Sequence, residues 1–385
     1  MSRPSPWQLF TSFLRLGATA FGGPSMVAYI RTMAVERKRW IDARTFGDGV
    51  ALCQAIPGAT AMQAAAYVGL KTRGVIGAAA SYVGFGLPAF LMMMTLAAVY
   101  THTRDLPVVV SAFSGLQAVI VAIIAYATLS FGKTTLKDWR AIAIASMAAV
   151  LFALNLHPIL VMLLAAAVGV ALVKSGQSTP RDTSASPQTQ PNTMPLLAIL
   201  AVTAIGFILL WLFDRSLFNL ALLMFRIDLF AFGGGFASVP LMFHEVVEVR
   251  NWIDSQTLMN GIVLGQVTPG PIVITATFVG YLMAGFRGAV IATMAIFLPS
   301  FVILVGASPY FERLRASPLF NRAITGVLCS FVGLLATVTV RFASNVQWDL
   351  ARLVLAAGAF VALLLKVDIL WVVVLGTILS IAMFT

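Results

Sequence analysis

The chain repeats itself. Phe21-Gly22-Gly23 returns as Phe232-Gly233-Gly234 at an offset of 211 residues, and Arg15, six residues earlier, returns as Arg226. Trp40-Ile41-Asp42 returns as Trp252-Ile253-Asp254, and Gln54 and Pro57-Gly58 return as Gln266 and Pro269-Gly270, at 212. Val68-Gly69, Leu87-Pro88 and Gly115 match Val279-Gly280, Leu298-Pro299 and Gly326 at 211 again. Arg73-Gly74 pairs with Arg287-Gly288 after a short insertion. Chance does not produce so many collinear matches, so the chain folds as two homologous halves. Glycines repeat in any duplicated fold. An arginine repeated inside an apolar stretch asks for a further reason.

Of the 385 residues 60% are hydrophobic and only 10% charged, with a mean hydropathy of +0.95. Soluble domains carry roughly 25% charged residues, so a water-soluble globular fold is excluded. The apolar stretches are long runs, not alternating ten-residue segments, which excludes a β-barrel. What remains is an all-α polytopic membrane protein, with about 12–13 apolar segments at about 20 residues per crossing. The net charge of +11 would raise the question of nucleic acid in a soluble protein. Here the cations flank apolar runs, as the positive-inside rule demands, and no nucleic-acid partner is expected. Cys53 and Cys329 lie inside apolar stretches and read as small hydrophobes. Arg3, the stretch 7–14 and Ala18-Thr19-Ala20 imitate a signal peptide, but Arg15 interrupts the apolar region and the following residues belong to the repeat. The segment is therefore expected to stay in the mature protein.

Each half holds six apolar segments: 7–33, 46–70, 74–100, 108–131, 140–155 and 157–173, then 217–243, 256–282, 287–308, 319–341, 349–365 and 368–384. The domain reading is a first repeat over 1–173, a polar linker over 174–195, an extra helix over 196–213 and a second repeat over 214–385. The Ser-, Thr-, Pro- and Gln-rich linker reads as a tether outside the bilayer. The unpaired helix turns the second half upside down. Loop charges test this. If every segment of the first half crosses, its Lys and Arg divide six against five between the two sides. If 46–70 enters and leaves on one side they divide ten against one, as the positive-inside rule requires. In the second half the same count is even, although the loop reversal (Arg250 alone where the first half has Arg31, Arg37, Lys38, Arg39 and Arg44) suits an inverted repeat.

Phe21-Gly22-Gly23-Pro24 and Phe232-Gly233-Gly234-Gly235 fall inside the first apolar segment of each half, and Pro57-Gly58 and Pro269-Gly270-Pro271 inside the second. Proline removes a donor and glycine tolerates unusual dihedrals, so these segments are read as interrupted helices. Irregular backbone at membrane depth is tolerated only where protein buries it or a watery cavity meets it. Paired interruptions in inverted repeats point to a transporter's binding site. Helices restarting at the breaks aim unpaired N–H groups and a positive dipole end into the gap, which suits an anion. The candidate substrate-binding set is Arg15, Gly22, Gly23, Ser25, Gln54, Gly58 and Thr60, with Arg226, Gly233, Gly234, Gln266, Thr268 and Gly270. Two guanidiniums among amide, hydroxyl and backbone donors fit a small tetrahedral oxyanion. The competing reading makes each arginine an interface anchor that snorkels to the headgroups.

Asp228 is the clearest acid inside an apolar segment, and its counterpart is Gly17. It either balances Arg226 or acts as a proton-coupling carboxylate. Glu36 and Glu248 sit in stretches ending Trp-Ile-Asp that read as interfacial helices, with Trp40 and Trp252 at headgroup depth. His102, His157 and His244 show no metal-ligand spacing, and no catalytic constellation or nucleotide loop is present. No enzyme activity, metal or cofactor is expected.

The repeated Phe-Gly-Gly, the Trp-Ile-Asp after a charged stretch and Gln-x-x-Pro-Gly together resemble the chromate ion transporter (CHR) family, in its long-chain two-domain form. The pattern covers Phe21 to Pro24, Gln54 to Gly58, Phe232 to Gly234 and Gln266 to Pro271. The resemblance implies a multi-pass protein of the bacterial inner membrane that exports chromate and confers resistance, with sulfate as competing oxyanion. Transport of sulfate or another oxyanion, including uptake, is the alternative. Gly235 stands where the first repeat has Pro24, so the two half-sites are not expected to be equivalent.

Overall fold

The computed structural model describes residues 3–21, 25–173 and 194–384, which are helical with no strand among them. The first series is α1 (Pro6–Thr19), α2 (Ser25–Arg31) continued by a π-helical stretch (Thr32–Arg37), α3 (Ala43–Ala55), α4 (Thr60–Thr103), α5 (Pro107–Thr135), α6 (Trp139–Ala153) and α7 (Pro158–Leu172). After α8 (Met194–Phe213) the series recurs. It runs α9 (Arg215–Leu229), α10 (Ser238–Met242) with a π-helical stretch (Phe243–Val249), α11 (Ser255–Val267) and α12 (Thr275–Ala307), then a short α13 (Phe311–Ala316), α14 (Pro318–Asn345), α15 (Leu350–Leu364) and α16 (Ile369–Phe384). α8 has no counterpart and buries none of its residues. Five stretches (α4, α5, α8, α14, and α12 with its flanking turns) are long and apolar enough to cross a membrane.

The helix starts are written locally. Ser5, Asp42, Asp138, Asp214, Asp254, Ser317 and Asp349 each cap a helix by accepting the N–H three residues on. The reversals are written by glycine. α4 folds back at Arg73 (φ −142°) and Gly74 (φ 62°), and α12 at Ala284 (φ −149°) and Gly285 (φ 57°). A side chain on Gly69 would strike the backbone of Gly77, and Gly280 and Gly288 stand in the same relation. Thr277 and Thr293 share a 2.6 Å hydrogen bond. Residues that far apart in a straight helix would be separated by about 24 Å. This geometry corrects the alignment of the halves. The turn glycines correspond as Gly74 and Gly285, and Gly288 answers Gly77, so Arg73-Gly74 does not pair with Arg287-Gly288. Arg73 donates through Nε to the Pro4 carbonyl at 2.7 Å. Its true counterpart, Ala284, cannot do the same for α9, and a hollow of about 320 Å³ lined by Ser216, Asn219, Trp252 and Ala284 opens there.

The segments with proline-glycine breaks are helical hairpins. Gly49 of α3 packs against the Tyr67 ring, and Gly261 of α11 against Phe278, each pair straddling its break. Both arms therefore leave on the side they entered. The stretches ending in Trp-Ile-Asp are not separate interfacial helices. They continue α2 and α10 as returning arms, and Trp40 is buried in the core because the loop after it turns back into α3.

Equivalent helices run in opposite directions. On α5 and α14, Thr128 meets Thr339 at 3.2 Å while Phe131 meets Phe331 with ring centroids 5.3 Å apart. One number rises as the other falls, so the repeat is inverted. The repeats also exchange their last two helices. α6 and α7 pack on α14, where Gly333 abuts the Ala145 carbonyl and Gly326 abuts Gly169. α15 and α16 pack on α5, where Gly115 N–H donates to Ser380 Oγ at 2.9 Å. Small residues let these backbones approach closely, the usual basis of helix association in lipid.

With Cys53 and Cys329 replaced, a Phe131→Cys/Phe331→Cys pair is expected to cross-link with a short bifunctional thiol reagent and a Phe131→Cys/Phe342→Cys pair is not. Denaturing gels of the protein cut within 174–193 read the outcome. The reverse preference would mean parallel repeats.

Candidate functional site

The proline-glycine break of each repeat meets the end of the other repeat's opening helix at the centre. Gly58 N–H donates to the Ala231 carbonyl at 2.9 Å, and Gly270 N–H to the Ala20 carbonyl at 3.0 Å. Both glycines hold φ 112°, a region closed to other residues without strain. The C-terminal carbonyls of α1 and α9 are thus capped from the opposite repeat. Helical segments start just after the breaks at Ser25, Thr60, Gly235 and Ile272, and the first N–H groups of a helix have no partner within it. A helix start with unpaired N–H groups favours an anion.

Several candidate residues do come together here. Gly233 (φ 96°) and Gly234 (φ 92°) carry the second-repeat break across the start of α4, and a side chain on Gly234 would lie 3.3 Å from Thr60 Oγ1. Gly233 lies against the Phe331 ring. Gln266 keeps a buried amide nitrogen without a hydrogen bond, one helical turn before the break. Thr268 donates its hydroxyl proton to the Leu264 carbonyl at 2.7 Å, and Ser25 donates its own to the Phe21 carbonyl at 2.9 Å. Gln54 is exposed, one turn before Gly58. Gly22, Gly23 and Pro24 lie outside the described residues.

The two arginines are not in equivalent surroundings. Arg15 is exposed, and its side chain makes no ion pair among the described residues. Arg226 is two-thirds covered, with Nη2 3.4 Å from Glu245 Oε1 and 3.2 Å from the His157 ring. Asp228 does not balance it. That carboxylate is fully buried and faces Ser300, which donates its N–H at 2.9 Å and its hydroxyl to the same oxygen, Oδ2. Oδ1 has no partner among the described residues. Ser300 also presses on Gly58, where any side chain would strike its hydroxyl. Gly17, the counterpart of Asp228, sits against the Phe85 carbonyl with no room for a side chain. Only the second repeat can hold this acid.

Three polar groups here escape a reading of the sequence. Gln63 is fully buried in the first turn of α4 and donates to the Pro57 carbonyl at 2.6 Å, while its own oxygen is unpaired. Tyr82 donates to the Phe297 carbonyl at 2.7 Å and joins the two long arms. Ser300 is the third. A lone glutamine in the run Ala59–Gly69 was the signal available for the first; the others look like ordinary helix residues until the second repeat is in place.

A sequence profile described as "Chromate transporter" matches the chain twice, over residues 7–170 and 218–381. The chain belongs to that family. The chromate transporter profile thus falls once on each inverted repeat and leaves α8 between its two matches. The chain is 42% identical over 380 residues to an uncharacterized transporter of Methanocaldococcus jannaschii, covering 98% of this chain and 94% of that one. It is 31% identical to a chromate transport protein of Cupriavidus metallidurans, over 93% of this chain and 88% of the relative. A chromate transport protein of Pseudomonas aeruginosa is 28% identical over 92% of this chain and 85% of its own length. No solved structure matches the chain significantly. This is a multi-pass membrane protein of a transporter family, and the twice-repeated break belongs to the family's matched regions.

Gly58→Ala is expected to destabilise strongly, because strained φ alone costs about 1–3 kcal/mol and Ser300 blocks the added methyl. Gly47→Ala, where nothing lies within 4 Å, serves as control. Thermal unfolding of purified protein in detergent compares the two; equal midpoints would show that the Gly58 backbone is not held as described.

Proposed function

We propose that the protein is a secondary transporter that exports chromate, a tetrahedral dianion, across the bacterial inner membrane and so confers resistance. The observation that carries this is the reciprocal Gly58–Ala231 and Gly270–Ala20 bonding of the helix breaks, in a chain of the chromate transporter family. The oxyanion is held there by backbone N–H groups with Thr60 and Gln266. Gly233, Gly234, Gly58 and Gly270 keep the backbone bare, and Arg15 draws the anion in from the basic face. The repeats 1–173 and 214–385, joined by the linker 174–195 and the reversing helix 196–213, rock against each other to expose the site alternately. Sulfate, of the same shape and charge, competes.

The driving force suits export. A dianion moving outward gains about 4.6 kcal/mol per 100 mV of inside-negative potential, so efflux can run on the potential alone. Uptake would need coupled cations. In this reading Asp228, buried beside the break with one oxygen free, is the acid that exchanges a proton as the hairpins part.

Radiolabelled chromate flux into inverted vesicles under an imposed potential tests the proposal. Wild type is expected to accumulate chromate, and Arg15→Ala to lose roughly ten-fold or more, the scale of a charge-assisted contact. Flux that survives Arg15→Ala and Arg226→Ala would leave binding to the backbone breaks alone. Accumulation of sulfate but not chromate, or flux only in right-side-out vesicles, would replace chromate export with sulfate transport or uptake.

A further inference from the structure

Away from the centre, one carboxylate is surrounded by two arginines and a histidine at long hydrogen-bond and ion-pair distances. Glu245, on the returning arm after α10, has Arg226 Nη2 at 3.4 Å, Arg250 Nε at 3.6 Å and His157 Nε2 at 3.7 Å. Direct charge-assisted bonds are about 2.7–2.9 Å. All three fall short by half an ångström or more, and Arg250 Nε is buried with no hydrogen bond. His157 Nδ1 accepts the Ile159 N–H at the start of α7, and its Nε2 lies 3.2 Å from Arg226 Nη2 and 3.7 Å from Glu245. The carboxylate itself is nearly buried, whereas the side chains of Arg226, Arg250 and His157 stay 31–41% exposed. An anion arriving from outside can reach the cations, and what occupies the space between them is Glu245.

The cluster is built from both repeats and from one side of the molecule. His157 comes from the tip between α6 and α7, and the rest from the second repeat. The adjoining pair, Glu248 with His244 and Arg341, fixes the arm that carries Glu245, and the hollow beside it holds only about 10 Å³, one water. Arg226 stands five residues before Ala231, about 8 Å along the helix from the central break. The first repeat has no such cluster, because the positions answering Glu245 and His157 are Ala34 and Asp368. An oxyanion therefore meets an unmasked Arg15 on the basic face and a masked arginine on the other.

We propose that Arg226, Arg250 and His157 form a second oxyanion station on the outer side of the centre, and that Glu245 is a tethered competitor that expels the substrate from it. This rests on the reading of the protein as an oxyanion transporter. The spacing suits a group larger than a carboxylate, and the substrate leaves when the Glu245 carboxylate returns to the three donors. Release is driven by an anion the protein carries with it, so no step requires the arginines to lose their charge.

The test is radiolabelled chromate binding to the full-length protein in detergent, paired with flux in proteoliposomes. Glu245→Gln is expected to bind chromate about five-fold more tightly, the equivalent of one weak ion pair removed, and to turn over more slowly. Arg250→Gln is expected to bind more weakly, and the double variant to return toward wild type. Glu245→Gln protein that is monodisperse but binds no tighter than wild type would overturn the competitor role. If that variant does not fold, the Arg250→Gln result decides: unchanged affinity and release would overturn the station. Wild type that binds and moves neither chromate nor sulfate would overturn the transport reading and this proposal with it, an outcome distinct from normal wild-type flux with unaltered variants.

Discussion

Two hydrogen bonds hold the centre of this molecule together: Gly58 to Ala231 and Gly270 to Ala20. In lipid, an interrupted helix exposes backbone groups that water cannot satisfy, and each unsatisfied group costs several kcal/mol. Neither repeat can settle this alone, because each break lacks a partner in its own half. Once the second repeat is inverted against the first, the glycine N–H of one hairpin reaches the last carbonyl of the other repeat's opening helix. The positive φ of both glycines, the hairpin reversals and the exchange of the last two helices follow from bringing those groups into register.

The symmetry is a scaffold on which function is asymmetric. Backbone features repeat almost perfectly: Arg39 and Asn251 share φ 51°, and Asn155 and Lys366 lie at φ 60° and 64°. Side chains do not. Asp228 and Ser300 stand where the first repeat has Gly17 and Ala89, and Glu245 stands where it has Ala34. A symmetric pair of half-sites would treat both faces of the membrane alike. The differences lie beside the central break and on the returning arm after α10.

Close packing explains why those differences are confined. At Gly17, Gly69, Gly280, Gly288, Gly326 and Gly333 an added methyl would meet a neighbouring backbone. Such positions admit no chemistry. Polar residues survive only where a partner is built, as Ser300 is for Asp228, or at the rim, where Glu245 and Arg226 keep contact with the surroundings. A carboxylate buried in this core without a built partner would carry a large desolvation cost.

The sequence alone determined the all-helical membrane class, the duplication, the places where helices break and the fact that one half carries an acid the other lacks. These rest on local physics: hydropathy over a spanning length, the missing donor of proline and the freedom of glycine are properties of a few adjacent residues. The loop charges suited an inverted repeat, but the second half's even count left the register to the contacts between α5 and α14. Only the tertiary structure decided who meets whom. That Arg226 faces Glu245 and not Asp228, that Gln63, Tyr82 and Ser300 surround the centre, and that Gly74 answers Gly285 depend on contacts between residues far apart in the chain. A helix gives each side chain a direction, but its partner is set by the neighbouring repeat, and no local pattern encodes that neighbour.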